Sequence, residues 1–204
     1  MEYDCRVMRT DARRLPLPDQ PFAVQLAATL KPKGDSVFDE LTDTHAVEEW
    51  LGAIGVQLDD RRLSPEQAQN VRRLRSAIRR VFAQATSDTR PHTADDLDLP
   101  AAIETINEAA AGSPARKLVA TAGELSTDNG RPLRTVEAAM ASFASDAIDI
   151  AGGSDRDKIR ACYAPNCLHF FLARNAGREW CSPTCGNRVR AARHYSKTRG
   201  SSDR

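Results

Sequence analysis

With 204 residues, 41% hydrophobic and 28% charged, the chain has the composition of a globular protein and the length of one medium domain plus a small module. No apolar run approaches the ~20 residues that span a bilayer, and Met1 to Arg14 lacks the apolar core of a signal peptide, so a cytoplasmic protein without a membrane partner is expected. Formal net charge is only +1, but residues 154–204 carry 11 Lys/Arg against 4 Asp/Glu, a local +7, leaving −6 on residues 1–153; such a basic end fits a polyanion partner or a solvated surface equally well.

Residues 1–21 mix charges with Pro16, Pro18 and Pro21 and read as a flexible N-terminal segment. Phe22–Leu30 is apolar enough for core, with strand and helix undecided, and Lys31-Pro-Lys-Gly-Asp35 breaks it. Asp43 or Thr44 caps a helix that places Val47, Trp50, Leu51 and Ile54 on one face and stops at Gly55. Ser64-Pro-Glu-Gln67 is a capping box with Pro at the first helical position, opening a helix over 65–86. Its stripe is Ala68, Val71, Leu74, Ile78, Val81, Phe82 and Ala85. Arg72, Arg73, Arg75, Arg79 and Arg80 fall largely off that stripe, suited to solvent or to nucleic acid.

A further helix is expected over Pro100–Ala111, with Ile103 and Ile106 inward and Gly112-Ser-Pro114 as its stop. Lys117–Thr121 and Pro132–Thr135 flank Asp128-Asn-Gly130 and suggest a hairpin with a long tip. Thr135 caps a last body helix carrying Val136, Met140, Phe143, Ala147 and Ile150, and Gly152-Gly-Ser-Asp155 ends it. The fold class is therefore mainly α with a small β-hairpin element. The organisation is a loose segment 1–21, a mostly helical body 22–151, a linker 152–159, a module 160–197 and a flexible tail 198–204.

Four of the five cysteines crowd into the module as Cys162-x4-Cys167-x13-Cys181-x3-Cys185, while Cys5 stands apart. An odd count in a cytosolic chain argues against a disulfide framework. Two close pairs separated by about a dozen residues suit one tetrahedral Zn2+, whose borderline-soft character favours thiolate. A redox switch is the competing use of such thiols. Four sulfurs complete the shell and leave no open position, so the zinc is structural; His169 and His194 are not needed as ligands. Leu168–Ala173 is expected to alternate as a short strand, Asn175-Ala-Gly177 to turn, and Arg178-Glu-Trp180 to return, giving a treble-clef-like module. Ser182 caps the following helix and Pro183 begins it.

On that helix Cys185, Val189, Ala192 and Ser196 share the metal-facing side, while Asn187, Arg190, His194 and Lys197 lie opposite, with Arg193 beside them. Guanidinium forks there suit phosphate or guanine edges, and Arg174 and Arg178 could reach backbone phosphates. A solvated basic helix is the bland alternative.

Cys185-Gly-Asn-Arg188, with Trp180-Cys-Ser182, Arg193-His-Tyr195, the Cys162–Cys167 knuckle, Phe170-Phe171 and Arg174-Asn175, closely resembles the bacterial CGNR-type zinc finger. Such fingers follow an ABATE domain, a family assigned to stress-induced transcriptional regulation, and the acidic body is similar to it through Phe22–Leu30, the Trp50-Leu51 helix and the 65–86 helix. Members tend to carry an Asp and an Asn-Thr in the opening apolar segment, where this chain has Gln25 and Ala28-Thr29, so an effector role for those positions does not carry over. The resemblance implies a cytoplasmic regulator, nucleoid-associated when bound to double-stranded DNA through Asn187, Arg188, Arg190, Arg193, His194, Lys197, Arg174 and Arg178. Its body would dimerise or sense a small-molecule effector.

Two other classes stand beside this one. Phe170, Phe171, Trp180 and Tyr195 could instead form an apolar patch for a protein partner, with zinc as a staple only. Enzyme function is not expected: the body offers His45, His92 and Cys5, with no phosphate loop or nucleophile signature.

Overall fold

The computed structural model describes residues 17–34, 36–59, 62–90, 97–112, 117–121, 124–128, 133–175 and 177–201. Cys5, His92 and the expected loose segment up to residue 16 lie outside these. Residues 17–21 do not belong to a loose segment: Leu17 and Gln20 are buried.

The opening apolar run resolves into both alternatives. Helix α1, Phe22–Ala27, is buried from Ala23 onward, and the chain then enters strand β1, Leu30–Lys33. The expected break at 31–35 is in fact the approach to a hairpin. β1 pairs antiparallel with β2, Ser36–Asp39, Leu30 opposite Asp39 and Lys33 opposite Ser36. Gly34 at φ +60° supplies the left-handed residue of the turn. Pro32 is tolerated because a two-stranded sheet has free edges.

Helix α2, Thr44–Ala53, starts where Asp43 accepts a hydrogen bond from the Ala46 amide at 2.9 Å. Helix α3, Pro65–Thr86, carries the complete capping box: Ser64 Oγ accepts from the Gln67 amide at 3.0 Å, and Gln67 Oε1 accepts from the Ser64 amide at 2.9 Å. Helix α4, Leu99–Ala110, and helix α5, Val136–Gly152, are capped by the side chains of Asp98 and Thr135, which accept from the Ala101 and Ala138 amides. α3 lies at the centre, against α1, α2, α4 and α5.

Three expectations need correction in this body. Arg75 and Arg79, placed off the stripe by residue type, are buried. Arg75 makes a two-pronged ion pair with Asp39 at 2.5 and 2.6 Å and donates to Thr29 Oγ1 at 3.1 Å. Arg79 donates to the Ala27 carbonyl at 2.5 Å, a cation at a helix C-terminus. Both are buried because they have these partners. Secondly, Ile103 is 45% exposed, although Ile106 is buried as expected. It lines a shallow groove of about 320 Å³ with Val81, Ile148 and Arg156. Thirdly, the second hairpin pairs β3, Lys117–Thr121, with β4, Glu124–Asp128, rather than with the segment expected at Pro132–Thr135.

Gln25 and Ala28, which depart from the resembled pattern, and Thr29, which keeps it, are all buried. Thr29 accepts from Arg75 and donates to the Leu26 carbonyl, so it holds the Arg75–Asp39 pair in place.

The expected linker 152–159 is structured. After α5 a short 3-10 turn, Arg156–Lys158, runs directly into β5, Ile159–Ala161. β5 pairs antiparallel with β6, Phe170–Leu172, with Arg160 opposite Phe171. Helix α6, Pro183–Ser201, ends the described chain, so residues 198–201 of the expected tail are helical. β5 packs on α3 and β6 on α1. One hydrophobic cluster runs from Leu17 through Phe82 and Phe143 to Phe170, Phe171 and the cysteines. Gln20 Oε1 accepts from the Leu172 amide at 2.6 Å, and Arg79 reaches the Leu168 carbonyl at 3.4 Å. The C-terminal module is thus built into the body.

Candidate metal centre

The sequence places two cysteines where β5 turns into β6 and two at the start of α6, and the fold brings the pairs together. The first pair brackets a knuckle in which Asn166 adopts φ +54°, a left-handed conformation that Asn tolerates. The knuckle closes with the Cys162 amide donating to the His169 carbonyl at 3.0 Å. For the second pair, Ser182 Oγ accepts from the Cys185 amide at 3.2 Å, as an N-cap does, and Cys185 falls in the first turn of α6. The strand expected to return through Arg178–Trp180 does not form; β6 pairs backward with β5, and the described residues 173–175 and 177–180 carry no strand.

The four Sγ atoms lie within 4.8 Å of one another, and all four cysteines are buried. Cys181 Sγ is 3.7 Å from Cys167 Sγ and 3.4 Å from Cys185 Sγ. Zn–S bonds of ~2.3 Å in a tetrahedron put neighbouring sulfurs ~3.8 Å apart, whereas a disulfide needs ~2.05 Å. All four are free thiols. Their protonation equilibria point the same way. Hydrogen bonds from Cys167 and Cys181 hold the Cys162 thiol far below its ordinary value. The resulting anion pushes Cys167 up to about 12 and drives Cys181 up as well. A divalent cation at their centre would let all four ionise together, its charge offsetting their mutual repulsion. The donor set fits one structural Zn2+, with no position left for water.

His169 stands beside this set rather than in it, its Nδ1 3.7 Å from Cys181 Sγ. Burial lowers its pKa to about 4, so the ring is neutral at pH 7.

The residues around the cysteines explain the local motif. Gly186 lies in close approach: a Cβ there would sit 3.3 Å from Trp180 Cδ1, so the indole would have to give by a few tenths of an ångström, and 3.5 Å from Arg190 Nη1. Asn187 Oδ1 accepts from Arg190. Arg188 turns inward, donating to Cys185 Sγ and to the Asn166 carbonyl, both at 2.8 Å. Arg178 donates to the Trp180 carbonyl at 3.1 Å and to the Cys181 carbonyl, with its guanidinium over the Phe171 ring. Arg174 donates to the Asp19 carbonyl at 3.0 Å.

A scan of family models matches residues 20–154 to ABATE, described as "Putative stress-induced transcription regulator". That is well over half of the chain. The chain belongs to the ABATE family. Residues 158–198 match the CGNR zinc finger, which carries all four cysteines. No curated protein gives a match.

In this ABATE protein the finger's helix has two unlike halves. Cys185, Gly186 and Val189 are buried, while Arg190 through Ser196 are all exposed. Ala192 and Ser196, expected to face the metal, therefore face solvent, because α6 outruns the module it packs on. Asn187, Arg190, Arg193 and His194 are exposed as expected. Lys197 lies on the same helix, its side chain outside the described residues. No described helix is long and apolar enough to cross a membrane.

Sequence reading missed Arg90, four residues beyond the end of α3. Its guanidinium donates to the carbonyls of Cys162 and Cys167, and nothing in its local sequence signals that contact.

Proposed function

We propose that this ABATE protein is a DNA-binding transcriptional regulator whose finger presents the exposed half of α6 to double-stranded DNA. The observation that carries this reading is the run from Arg190 to Ser196, solvent-exposed on every side, with Arg190, Arg193 and His194 among its seven residues. Such a helix can enter a major groove without disturbing its own core. Asn187, Arg190, Arg193, His194 and Lys197 are the contacts of choice. Arg188, Arg178 and Arg174 already have protein partners and serve the finger first.

The local +7 of residues 154–204 supplies phosphate attraction. One finger offers few base contacts, so a homodimer of ABATE domains would supply useful affinity by doubling them, and an effector in the body would tune it. Enzymatic turnover is not part of this proposal.

A salt titration of binding to random-sequence duplex DNA tests it. Affinity should fall steeply as salt rises, and Arg190→Ala with Arg193→Ala should lower the log–log slope by about 2. Absent binding at low salt, or an affinity indifferent to salt, rules the model out.

The protein-interaction alternative rested on four aromatics. Phe170 and Phe171 are fully buried and Trp180 is half-buried against Gly186, leaving Tyr195 at 71% exposure. With two of the four rings fully buried, little of that patch remains, which favours the DNA reading.

A further inference from the structure

Arg90 belongs by sequence to the ABATE body, yet its guanidinium sits on the metal knuckle. Nη1 donates to the Cys162 carbonyl at 2.6 Å and the Cys167 carbonyl at 2.9 Å. These are the main-chain oxygens of both first-pair ligands. The remaining edge of the fork is held by Asp88, with contacts of 2.7 to 3.1 Å from Nε and Nη2, and the Asp88 side chain is wholly shielded from solvent. The guanidinium carbon lies over the rings of Tyr163 and Phe170, 5.1 and 5.5 Å from their centroids. Asp88 in turn closes the end of α3: its amide donates to the Ala83 carbonyl at 2.9 Å, just past Ser87 in a left-handed conformation.

The same guanidinium thus touches the helix terminus at the centre of the body and the two carbonyls that orient half of the ligand set. We propose that Arg90 is a positioning residue for the zinc ion, so that the ABATE body governs how tightly the finger holds its metal. The physical basis is outer-shell support. Ligands whose neighbours are fixed by hydrogen bonds hold a metal more firmly, and loss of such a partner typically costs 10- to 100-fold in affinity. Here the support comes from outside the finger. Coupling of this kind is reciprocal: anything that shifts the end of α3 alters zinc retention, and zinc loss loosens the end of α3. The proposal concerns the metal and stands whether or not α6 meets DNA.

The test uses the full zinc-loaded chain and a chromophoric chelator that reports zinc release. Arg90→Met keeps most of the side-chain volume and removes the donors; it should release zinc at least ~10-fold faster than the parent. Arg90→Lys, which keeps the charge but not the planar fork, should recover part of the difference. Gln20→Met breaks another body–finger hydrogen bond, to the Leu172 amide, away from the ligands. It should release zinc at close to the parental rate. Equal release from Arg90→Met and the parent overturns the proposal, as does equal acceleration by Arg90→Met and Gln20→Met. If Arg90→Met does not fold, hydrogen exchange on the unmodified protein decides. Zinc removal should raise exchange at residues 83–90 well before α2 responds, and unchanged protection at 83–90 sinks the idea.

Discussion

At the scale of single residues, buried arginines set the chemistry of this protein as much as its cysteines do. Burial alone would raise the Asp39 carboxyl, but the Arg75 guanidinium, the Leu41 amide and the charge of Arg72 together hold the group below the usual carboxylate range. The folded state therefore binds the proton less readily than the unfolded chain. The pair's stabilisation is complete above the unfolded value of ~3.9 and disappears as pH falls through the lower folded value. Asp39→Asn should cost roughly 2–4 kcal/mol at pH 7, chiefly by leaving Arg75 buried and unpaired. In urea unfolding, the gap between parent and variant should narrow once the pH drops below ~4; a constant gap would mean the ion pair contributes nothing. Gly186 illustrates a milder case, a residue in close approach to its neighbour. Gly186→Ala pushes Trp180 aside by a few tenths of an ångström while gaining ~1 kcal/mol of helix propensity, so the thermal midpoint of zinc-loaded protein should move little, read by calorimetry.

At the scale of elements, the features legible in the sequence are those encoded within a few residues. Asp43, Ser64 and Thr135 each announce a helix because a cap and its target amide lie three positions apart. The cysteine pairs are legible for the same reason. Ser64→Ala should destabilise the protein by about 1 kcal/mol in urea unfolding, with Ser64→Asp close to neutral. What local pattern cannot encode is a partner distant in the chain. Arg75 and Arg79 look like solvent-facing charges until Asp39, Ala27 and Leu168 arrive from elsewhere. The pairing of β6 with β5 rather than with 178–180 is likewise a choice between two short strands, and burial decides it. Phe170, Phe171 and Leu172 are all buried, so β6 shows no alternation to guide a reader. Pro32 and Gly34 read as a break because the same residue types make both breaks and tight hairpins.

At the scale of the whole molecule, zinc and the helical body share one core. Phe82 of α3 meets Phe170 of β6 edge to face at a centroid distance of 5.8 Å. Phe82→Ala should cost about 3–5 kcal/mol and hasten zinc loss together with helix unfolding. Zinc-loaded protein should melt in a single calorimetric transition. Because zinc in small modules is worth ~10–16 kcal/mol in apparent terms, stripping it should lower the melting temperature of the body as well as that of residues 160–197. Two well-separated transitions would show that the parts fold independently.

The bare half of α6 has a thermodynamic consequence of its own. Arg190 to Ser196 are all exposed, and short helices with little tertiary packing are marginal in water. Its helicity should therefore answer to whatever it touches: circular dichroism should gain helical signal when a partner binds. The entropy lost in that ordering would be drawn from the binding energy, tempering affinity and letting small changes in salt or temperature release the complex.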